Sequence, residues 1–212
     1  MDGIRKSSLG MLLASLFSIS CCSAERSANH FNALAVEPGA KPDEVVRALG
    51  IAPGMAIADI GAGGGYFTVR FARDTGPAGV VFAVDINREF LDIISQTAAS
   101  EQLRNVKTVH ATPDDPGLPA HGVDLIFMRN VFHHIEHPVA YFRRLAGCLR
   151  PGGRIAIIDY RPGSLRTLFH SVPEERIITI LREAGYRIAA RHEFLERQSF
   201  TVFMVDGNTV RR

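Results

Sequence analysis

The sequence predicts an α/β fold of three layers, with a mostly parallel sheet of seven strands that ends in an antiparallel pair. Two observations support this prediction. The chain has 212 residues, 46% of them hydrophobic and 22% charged, which suits one globular domain with a sizeable core. Short apolar runs also alternate with helical patterns from residue 42 onward, and this alternation is typical of parallel strands joined by helical crossovers.

The elements follow in order along the chain. Acidic residues in the first turn and Gly50 as the stop predict a helix over 42–49. Asn87 and Pro138 mark the starts of two later helices. The predicted strands are 55–60, 80–84, 106–109, 123–128 and 154–159, and the helices between them are 67–73, 88–99 and 138–149.

The C-terminal part departs from the alternation. A helix is predicted over 173–184, closed by Gly185. Two strand-like runs follow at 186–195 and 199–205. Because only a short turn separates them, these last two strands must be antiparallel.

The N-terminal 24 residues have the order of a secretory signal peptide: Arg5 and Lys6, an apolar run over 9–19, and small residues ending at Ala24. The apolar run is shorter than the ~20 residues that span a bilayer. We therefore expect a signal peptide (1–24), a connecting segment (25–40), the main domain (41–207) and a tail (208–212). The protein is expected to be exported, periplasmic or secreted. Anchoring through a lipid on Cys21 or Cys22, or a cytoplasmic location, are the alternatives.

The net charge limits the expected binding partners, and the cysteine content limits the expected disulfides. The chain has 24 Lys and Arg against 22 Asp and Glu, a net charge of +2, which does not favour a nucleic-acid partner. A membrane contact is expected only through the signal peptide or the lipid anchor. After cleavage only Cys148 would remain, so no disulfide is predicted. Cys148 lies in an apolar helical stretch, which favours a buried thiol over a nucleophile.

The most informative segment is the glycine-rich turn Gly61-Ala-Gly-Gly-Gly65 after the first strand. In an open α/β sheet, ligands bind at the carboxyl ends of the strands. A dinucleotide-binding loop would have its third glycine at the position of Tyr66, so this sequence fits a dinucleotide-binding loop poorly. Asp59 ends the first strand, where a ligand amine could offset its burial. Asp85 ends the second, where it could accept from ribose hydroxyls. These features indicate a nucleoside ligand that carries an amino acid and no phosphate.

With these motifs the chain resembles the class I S-adenosylmethionine-dependent methyltransferases. The segment 59–65 is similar to their first motif, Asp85 to their ribose-binding acid, and Leu149-Arg-Pro-Gly-Gly-Arg-Ile to the turn before their fifth strand. The resemblance covers about 41–206. It is strongest to the type 11 small-molecule methyltransferases and to exported bacterial proteins of this family. It implies a Rossmann-like fold, S-adenosylmethionine as cofactor and a small-molecule methyl acceptor.

Site residues are carried over from this resemblance by position. It implies that Asp114, or its neighbour Asp115, accepts from the adenine amino group, unless these acids cap a turn instead. Tyr66 could close over the sulfonium end or pack under the first helix. The other cofactor-binding candidates are Asp59, Gly61, Gly63, Gly65, Asp85 and Asn130.

Three histidines are candidate catalytic residues. His133 and His134 follow the fourth strand, and His170 follows the fifth. A neutral imidazole can take the proton that an oxygen or nitrogen nucleophile loses. No third ligand at convincing spacing accompanies the adjacent pair, so no metal site is predicted.

The expected activity is methyl transfer from S-adenosylmethionine to a small molecule by in-line displacement. Val131 and Phe132 after Asn130 differ from the motif of base-modifying methyltransferases, and Cys148 alone does not suit arsenic methylation. Quinone-pathway relatives share the central motifs, although their additional signatures are not found. The alternatives are a protein-carboxyl methyltransferase of the isoaspartyl type and a non-catalytic S-adenosylmethionine-binding protein.

Overall fold

The computed structural model describes residues 23–163 and 171–207. Most of the predicted signal peptide, the C-terminal tail and His170 lie outside these ranges. The described residues form a seven-stranded sheet of order β3-β2-β1-β4-β5-β7-β6. Strands β1 to β5 are parallel, and β7 runs antiparallel to both β5 and β6. The predicted fold class is therefore confirmed.

The strands lie close to their predicted positions. They are β1 (Ala56–Ile60), β2 (Val80–Asp85), β3 (Val106–His110), β4 (Val123–Arg129), β5 (Leu149–Tyr160), β6 (Tyr186–His192) and β7 (Gln198–Val205). The order reverses between β1 and β4, so the loops after these strands diverge and leave a crevice at their carboxyl ends.

Helices cover both faces of the sheet. They are α1 (23–35), α2 (Pro42–Leu49), α3 (Tyr66–Thr75), α4 (Arg88–Ser100), α5 (Pro138–Cys148) and α6 (Glu174–Glu183). Alternate residues of β4 enter different cores: Phe127 packs with α2 and α3, whereas Met128 packs with α5 and α6. This alternation explains why β4 reads as a continuous apolar run, since a strand buried on both faces has no polar side.

Three differences from the predicted elements have local causes. Helix α1 occupies most of the predicted connecting segment and also includes residues 23 and 24 of the predicted signal peptide; its Ala24, Ala28 and Ala35 are buried. Strand β6 ends at His192, three residues before its predicted end, and Leu195 is instead buried in the turn to β7. Leu149 begins β5 rather than ending α5, because its extended backbone pairs with Val123. Within the described part of the chain, no helix has the length and apolar character needed to cross a membrane.

Candidate functional site

The glycine-rich loop between β1 and α3 lies at the point where the strand order reverses. The backbone N–H groups of Gly61 and Ala62 donate to the Val84 carbonyl, at 2.8 and 3.2 Å, which fixes the loop to the end of β2. A Cβ atom on Gly61 would lie 2.3 Å from Val131 Cγ2, and one on Gly65 would lie 2.7 Å from Ile94 Cγ1. Both glycines also have positive φ values, so the loop requires glycine for space and for conformation.

Asp85 connects this loop to the end of β2. Its Oδ2 accepts from the Gly63 N–H at 3.0 Å, and its Oδ1 accepts from the Asn87 N–H at 2.9 Å. The residue is only 9% exposed. Each carboxylate oxygen can accept more than one hydrogen bond, so Asp85 can support the loop and also receive ligand hydroxyls.

Asp59 lies beneath the loop and is buried. Its Oδ2 accepts from the Thr68 hydroxyl of α3 at 2.6 Å. Burial raises the pKa of Asp59 to about 7, the Thr68 hydrogen bond opposes this rise, and the neighbouring Asp85 charge adds to it. The carboxyl group therefore links β1 to the first turn of α3 from inside the protein.

The two acidic residues after β3, Asp114 and Asp115, have different surroundings. Asp115 forms a turn: its backbone N–H donates to the Thr112 hydroxyl at 3.1 Å, and its Oδ1 accepts from the Gly117 N–H at 3.0 Å. Asp114 is exposed. The turn-capping alternative therefore describes Asp115, while Asp114 stays the candidate for reading adenine.

Two large apolar side chains beside the loop are unusually exposed. Ile86, directly after Asp85, is 63% exposed, and Phe31 of α1 is 45% exposed. Phe31 lies against the loop: a Cβ atom added to Gly63 would be 3.3 Å from Cδ2 of Phe31. The Phe31 ring also packs edge-on against the Phe90 ring of α4. These side chains give the polar loop an apolar margin suited to a flat base.

Helix α1 is attached to the loop through Asn32, which sequence reasoning missed. Its Nδ2 donates to the Gly64 carbonyl at 3.0 Å, and its Oδ1 accepts from the Tyr66 N–H at 3.1 Å. The Tyr66 ring is half-buried and packs edge-on against Phe67. Alanines at 24, 28 and 35 with Phe31 have helical spacing, and this pattern could have indicated α1.

The loop after β4 forms the opposite wall of the crevice. Asn130 has a positive φ of 58°, and its Oδ1 accepts from Gln198 Nε2 of β7 at 2.6 Å. Its backbone N–H donates to the Ile158 carbonyl at 2.8 Å. These contacts place Val131 against Gly61 and turn the chain toward the two histidines.

His133 and Asp159 form a buried pair at the ends of β4 and β5. Nδ1 of His133 lies 3.0 Å from Asp159 Oδ1, and the two side chains are 7% and 0% exposed. His134 is exposed, and its ring centroid lies 4.0 Å from that of His133. Sequence reasoning missed Asp159, although a carboxylate at the end of an apolar strand was a signal.

Arg129, the last residue of β4, is a second functional candidate that the sequence did not indicate. Its guanidinium lies over the Phe67 ring, with 5.6 Å between Cζ and the ring centroid. Nη2 is 3.4 Å from the Leu34 carbonyl and from Gln198 Oε1. Among the described residues, no cluster of His, Cys, Asp and Glu has the arrangement of a metal site.

Comparison with known proteins agrees with this geometry. Residues 58–155, which run from β1 and its glycine-rich loop into β5, match the family model described as a methyltransferase domain. This match supports the resemblance of the chain to the class I S-adenosylmethionine-dependent methyltransferases. The resemblance seen in the sequence is therefore confirmed.

The known proteins similar to this chain are distant from it in sequence. The chain is 28% identical over 117 residues to the ubiquinone/menaquinone biosynthesis C-methyltransferase UbiE of Ectopseudomonas mendocina, covering 54% of this chain and 46% of that protein. It thus spans about half the length of the curated relatives it matches. An S-adenosylmethionine-dependent methyltransferase from Aquifex aeolicus has the same fold, with a TM-score of 0.74, 24% identity, and coverage of 83% and 97%. The trans-methyltransferase CalH, solved with S-adenosylhomocysteine, has a TM-score of 0.63, 20% identity, and coverage of 72% and 52%.

The residues around the glycine-rich loop fit S-adenosylmethionine, the cofactor of the class I methyltransferases. The glycines at 63, 64 and 65 let the loop backbone pack closely against α1 and α4, because added Cβ atoms there would meet Phe31, Asn32 and Ile94. Gly61 in the same way admits the Val131 side chain. Asp85 can accept from ribose hydroxyls, and Ile86 exposes an apolar surface beside it. These are the recognition elements that a nucleoside attached to an amino acid requires.

Proposed function

We propose that this protein binds S-adenosylmethionine and transfers its methyl group to a small-molecule acceptor, with His133 as the general base. The observation that carries the proposal is the hydrogen-bonded pair of His133 and Asp159 at the carboxyl ends of two adjacent strands. Acceptors of methyl groups lose a proton, and an imidazole oriented by a carboxylate is suited to accept it.

The tautomer of His133 follows from its partner. A carboxylate acceptor at Nδ1 favours the tautomer that carries its hydrogen there and leaves the lone pair on Nε2. Asp159 also accepts from the Tyr160 N–H at 2.8 Å, which fixes the orientation of the carboxylate. S-adenosylmethionine, when bound, supplies a methyl group already activated on a sulfonium. The protein therefore needs to position the acceptor, receive a proton and exclude water.

His134 has a different role in this proposal. Its exposed ring lies beside that of His133, where it can contact an acceptor that enters from solvent. The proton-accepting role is assigned to His133 because the structure provides that ring with a buried carboxylate. His170 stays a prediction, since it lies outside the described residues.

The experiment has two stages. Calorimetric titration with S-adenosylmethionine measures binding, and transfer of radiolabelled methyl to pooled small metabolites measures turnover. We expect His133→Ala to lower turnover by about 100-fold or more, as for loss of a general base, with less than a twofold change in cofactor affinity. Asp159→Asn should lower turnover in the same direction, because the amide changes the preferred tautomer. His137→Ala, an exposed histidine in the same loop, is the matched control.

Three outcomes distinguish the alternatives. Folded protein that binds no S-adenosylmethionine at millimolar concentration contradicts both the enzyme and the binding-protein hypotheses. Cofactor binding without methyl transfer to any acceptor favours the non-catalytic binding protein. Methyl transfer to isoaspartyl peptides rather than to small molecules favours the protein-carboxyl methyltransferase.

A C-methyltransferase of quinone biosynthesis is the second candidate, because UbiE proteins are prominent among the curated relatives. A quinol that lacks one ring methyl is the acceptor to test, with the label recovered on ring carbon. Recovery on oxygen, or the absence of transfer to this acceptor, contradicts this candidate and leaves the more general proposal in place.

Export is also proposed, on the signal-like sequence of residues 1–24. Cell fractionation followed by sequencing of the mature N-terminus tests it. We expect a mature chain that begins at Glu25 outside the cytoplasm. Cytoplasmic protein with Met1 intact contradicts the proposal, and a lipid-modified Cys21 or Cys22 supports the anchored alternative.

A further inference from the structure

Arg129, at the end of β4, places a partly buried cation among α1, α3 and β7 without a counter-charge in the described part of the chain. Its two side-chain hydrogen bonds, to the Leu34 carbonyl and to Gln198 Oε1, are long at 3.4 Å, and both acceptors are uncharged. Its Nε is buried and has no hydrogen-bond partner within the described ranges. No carboxylate of residues 23–163 or 171–207 lies within ion-pair distance of the guanidinium.

This arrangement is energetically unfavourable in isolation. Burial lowers the pKa of Arg129, and the Tyr160 phenol, the Glu37 carboxylate and the Tyr66 phenol oppose this effect, in that order. Glu37 is exposed, so solvent screens its charge. A partly buried guanidinium that has no carboxylate partner is less favourable than one in water unless an anion reaches it. Side chains of this kind mark the position where an anionic group of a ligand is expected.

The neighbours of Arg129 indicate which ligand group that is. Phe67, beneath the guanidinium, lies in the first turn of α3 directly after the glycine-rich loop. Leu34 belongs to α1, the helix that Asn32 attaches to that same loop. The guanidinium thus lies on the α1 and α3 side of the crevice, whereas the His133 and Asp159 pair lies at the ends of β4 and β5 near the packing of α5.

We propose that Arg129 is the counter-charge for the carboxylate of the amino-acid part of S-adenosylmethionine. Arginine is suited to this role, since its planar guanidinium can pair with a carboxylate through two parallel N–H groups. The role concerns cofactor binding and is independent of the acceptor. It assigns Asp85 to the nucleoside end of the ligand and Arg129 to the amino-acid end.

Calorimetry with two probes tests the assignment. The first is S-adenosylhomocysteine, and the second is the same molecule without its carboxylate group. We expect Arg129→Gln to weaken binding of the first probe at least tenfold while changing binding of the second less than twofold. Arg129→Lys, which keeps the charge but not the paired N–H groups, should give an intermediate loss. Arg104→Gln, at an exposed arginine between α4 and β3, is the matched control.

Salt dependence gives a second measurement on the unmodified protein. Affinity for S-adenosylhomocysteine should fall with ionic strength more steeply than affinity for the decarboxylated probe. Equal loss of both probes in folded Arg129→Gln would show a structural arginine and overturn the proposal, and so would unchanged binding of both. If Arg129→Gln does not fold, Arg129→Lys and the salt series decide. If the unmodified protein binds both probes, cofactor binding is retained as part of the proposed function, whether or not Arg129 has the assigned role.

Discussion

The Thr68 hydroxyl donates a 2.6 Å hydrogen bond to Asp59 Oδ2, joining the end of β1 to the first turn of α3 beneath the glycine-rich loop. The pair fixes the direction in which the chain leaves the loop. It also places an acid in a fully enclosed position, where burial raises the pKa of Asp59 to about 7. The site is therefore built on a carboxyl group whose protonation changes near neutral pH.

The raised pKa of Asp59 predicts that the free energy of unfolding depends on pH. Between about pH 4 and pH 7 the folded protein retains a proton on Asp59 that the unfolded chain has released, so the unfolding free energy should fall as pH rises through this range. Asp59→Asn should remove this slope, which is about 1.4 kcal/mol per pH unit for one proton. Urea unfolding at several pH values measures it, with exposed Asp92→Asn as the control. A slope that is the same in Asp59→Asn and the unmodified protein would contradict the prediction.

Asp85→Asn should weaken S-adenosylmethionine binding at least tenfold, about 1.4 kcal/mol. The amide keeps the size of the side chain but loses the negative charge and one acceptor for ribose hydroxyls and for the Gly63 and Asn87 N–H groups. Calorimetric titration measures the loss. Unchanged affinity would remove the ribose assignment.

Substituting asparagine for Asp114 and for Asp115 should affect cofactor binding and stability differently. Asp114→Asn should weaken cofactor binding with little change in stability, because Asp114 is exposed and is the candidate for reading adenine. Asp115→Asn should lower stability by about 1 kcal/mol and leave affinity unchanged, since its carboxylate accepts from the Gly117 N–H and pairs with Arg144. Thermal melts and titrations of both variants measure the difference. The reverse pattern would transfer the adenine assignment to Asp115.

Gly61→Ala should lower the unfolding free energy by at least about 2 kcal/mol, from the cost of φ 71° and from overlap with Val131. The double variant Gly61→Ala with Val131→Ala should be less destabilised than additivity of the two single changes predicts, because the overlap is relieved while the backbone cost stays. Gly39→Ala, where an added Cβ meets no atom within 4 Å, is the control. Strict additivity in the double variant would show that the overlap carries no energy.

Asn32→Ala should lower the unfolding free energy by about 1–3 kcal/mol, since it leaves the Gly64 carbonyl and the Tyr66 N–H without their partner. Cleavage by protease within α1 should become faster in the same variant, because the helix loses its polar attachment to the loop. Asn29→Ala, at an exposed position of α1, is the matched control. Equal effects of the two substitutions would contradict a specific role for Asn32.

The sequence was sufficient for the parts of the site that depend on local chemistry. The glycine-rich loop and Asp85 could be predicted, because a strand-to-helix turn with positive φ values and a carboxylate at the next strand end are both visible along the chain. Contacts between distant segments were not visible. His133 and Asp159 are 26 positions apart, and their pairing depends on β4 lying beside β5.

Arg129 and α1 were missed for different physical reasons. An arginine at the end of a strand is ordinary in a sequence, and its lack of a counter-charge is a property of the packed structure alone. Helix α1 begins in the last two residues of the segment that has the features of a cleaved leader. Its buried residues Ala24, Ala28 and Ala35 are alanines, which carry a weak hydrophobic signal. Its attachment through Asn32 joins positions 32 residues apart.

The position of β7 within the sheet also determines when the domain can be completed. This strand, the last one in the described residues, lies between β5 and β6, pairs with β5 over seven residues, and buries Phe200 and Phe203. The cores on both sides of the sheet therefore stay open until about residue 205 has been synthesised. Until then the unfinished domain exposes apolar surface and an unpaired edge of β5, which are the features that make incomplete chains prone to aggregate.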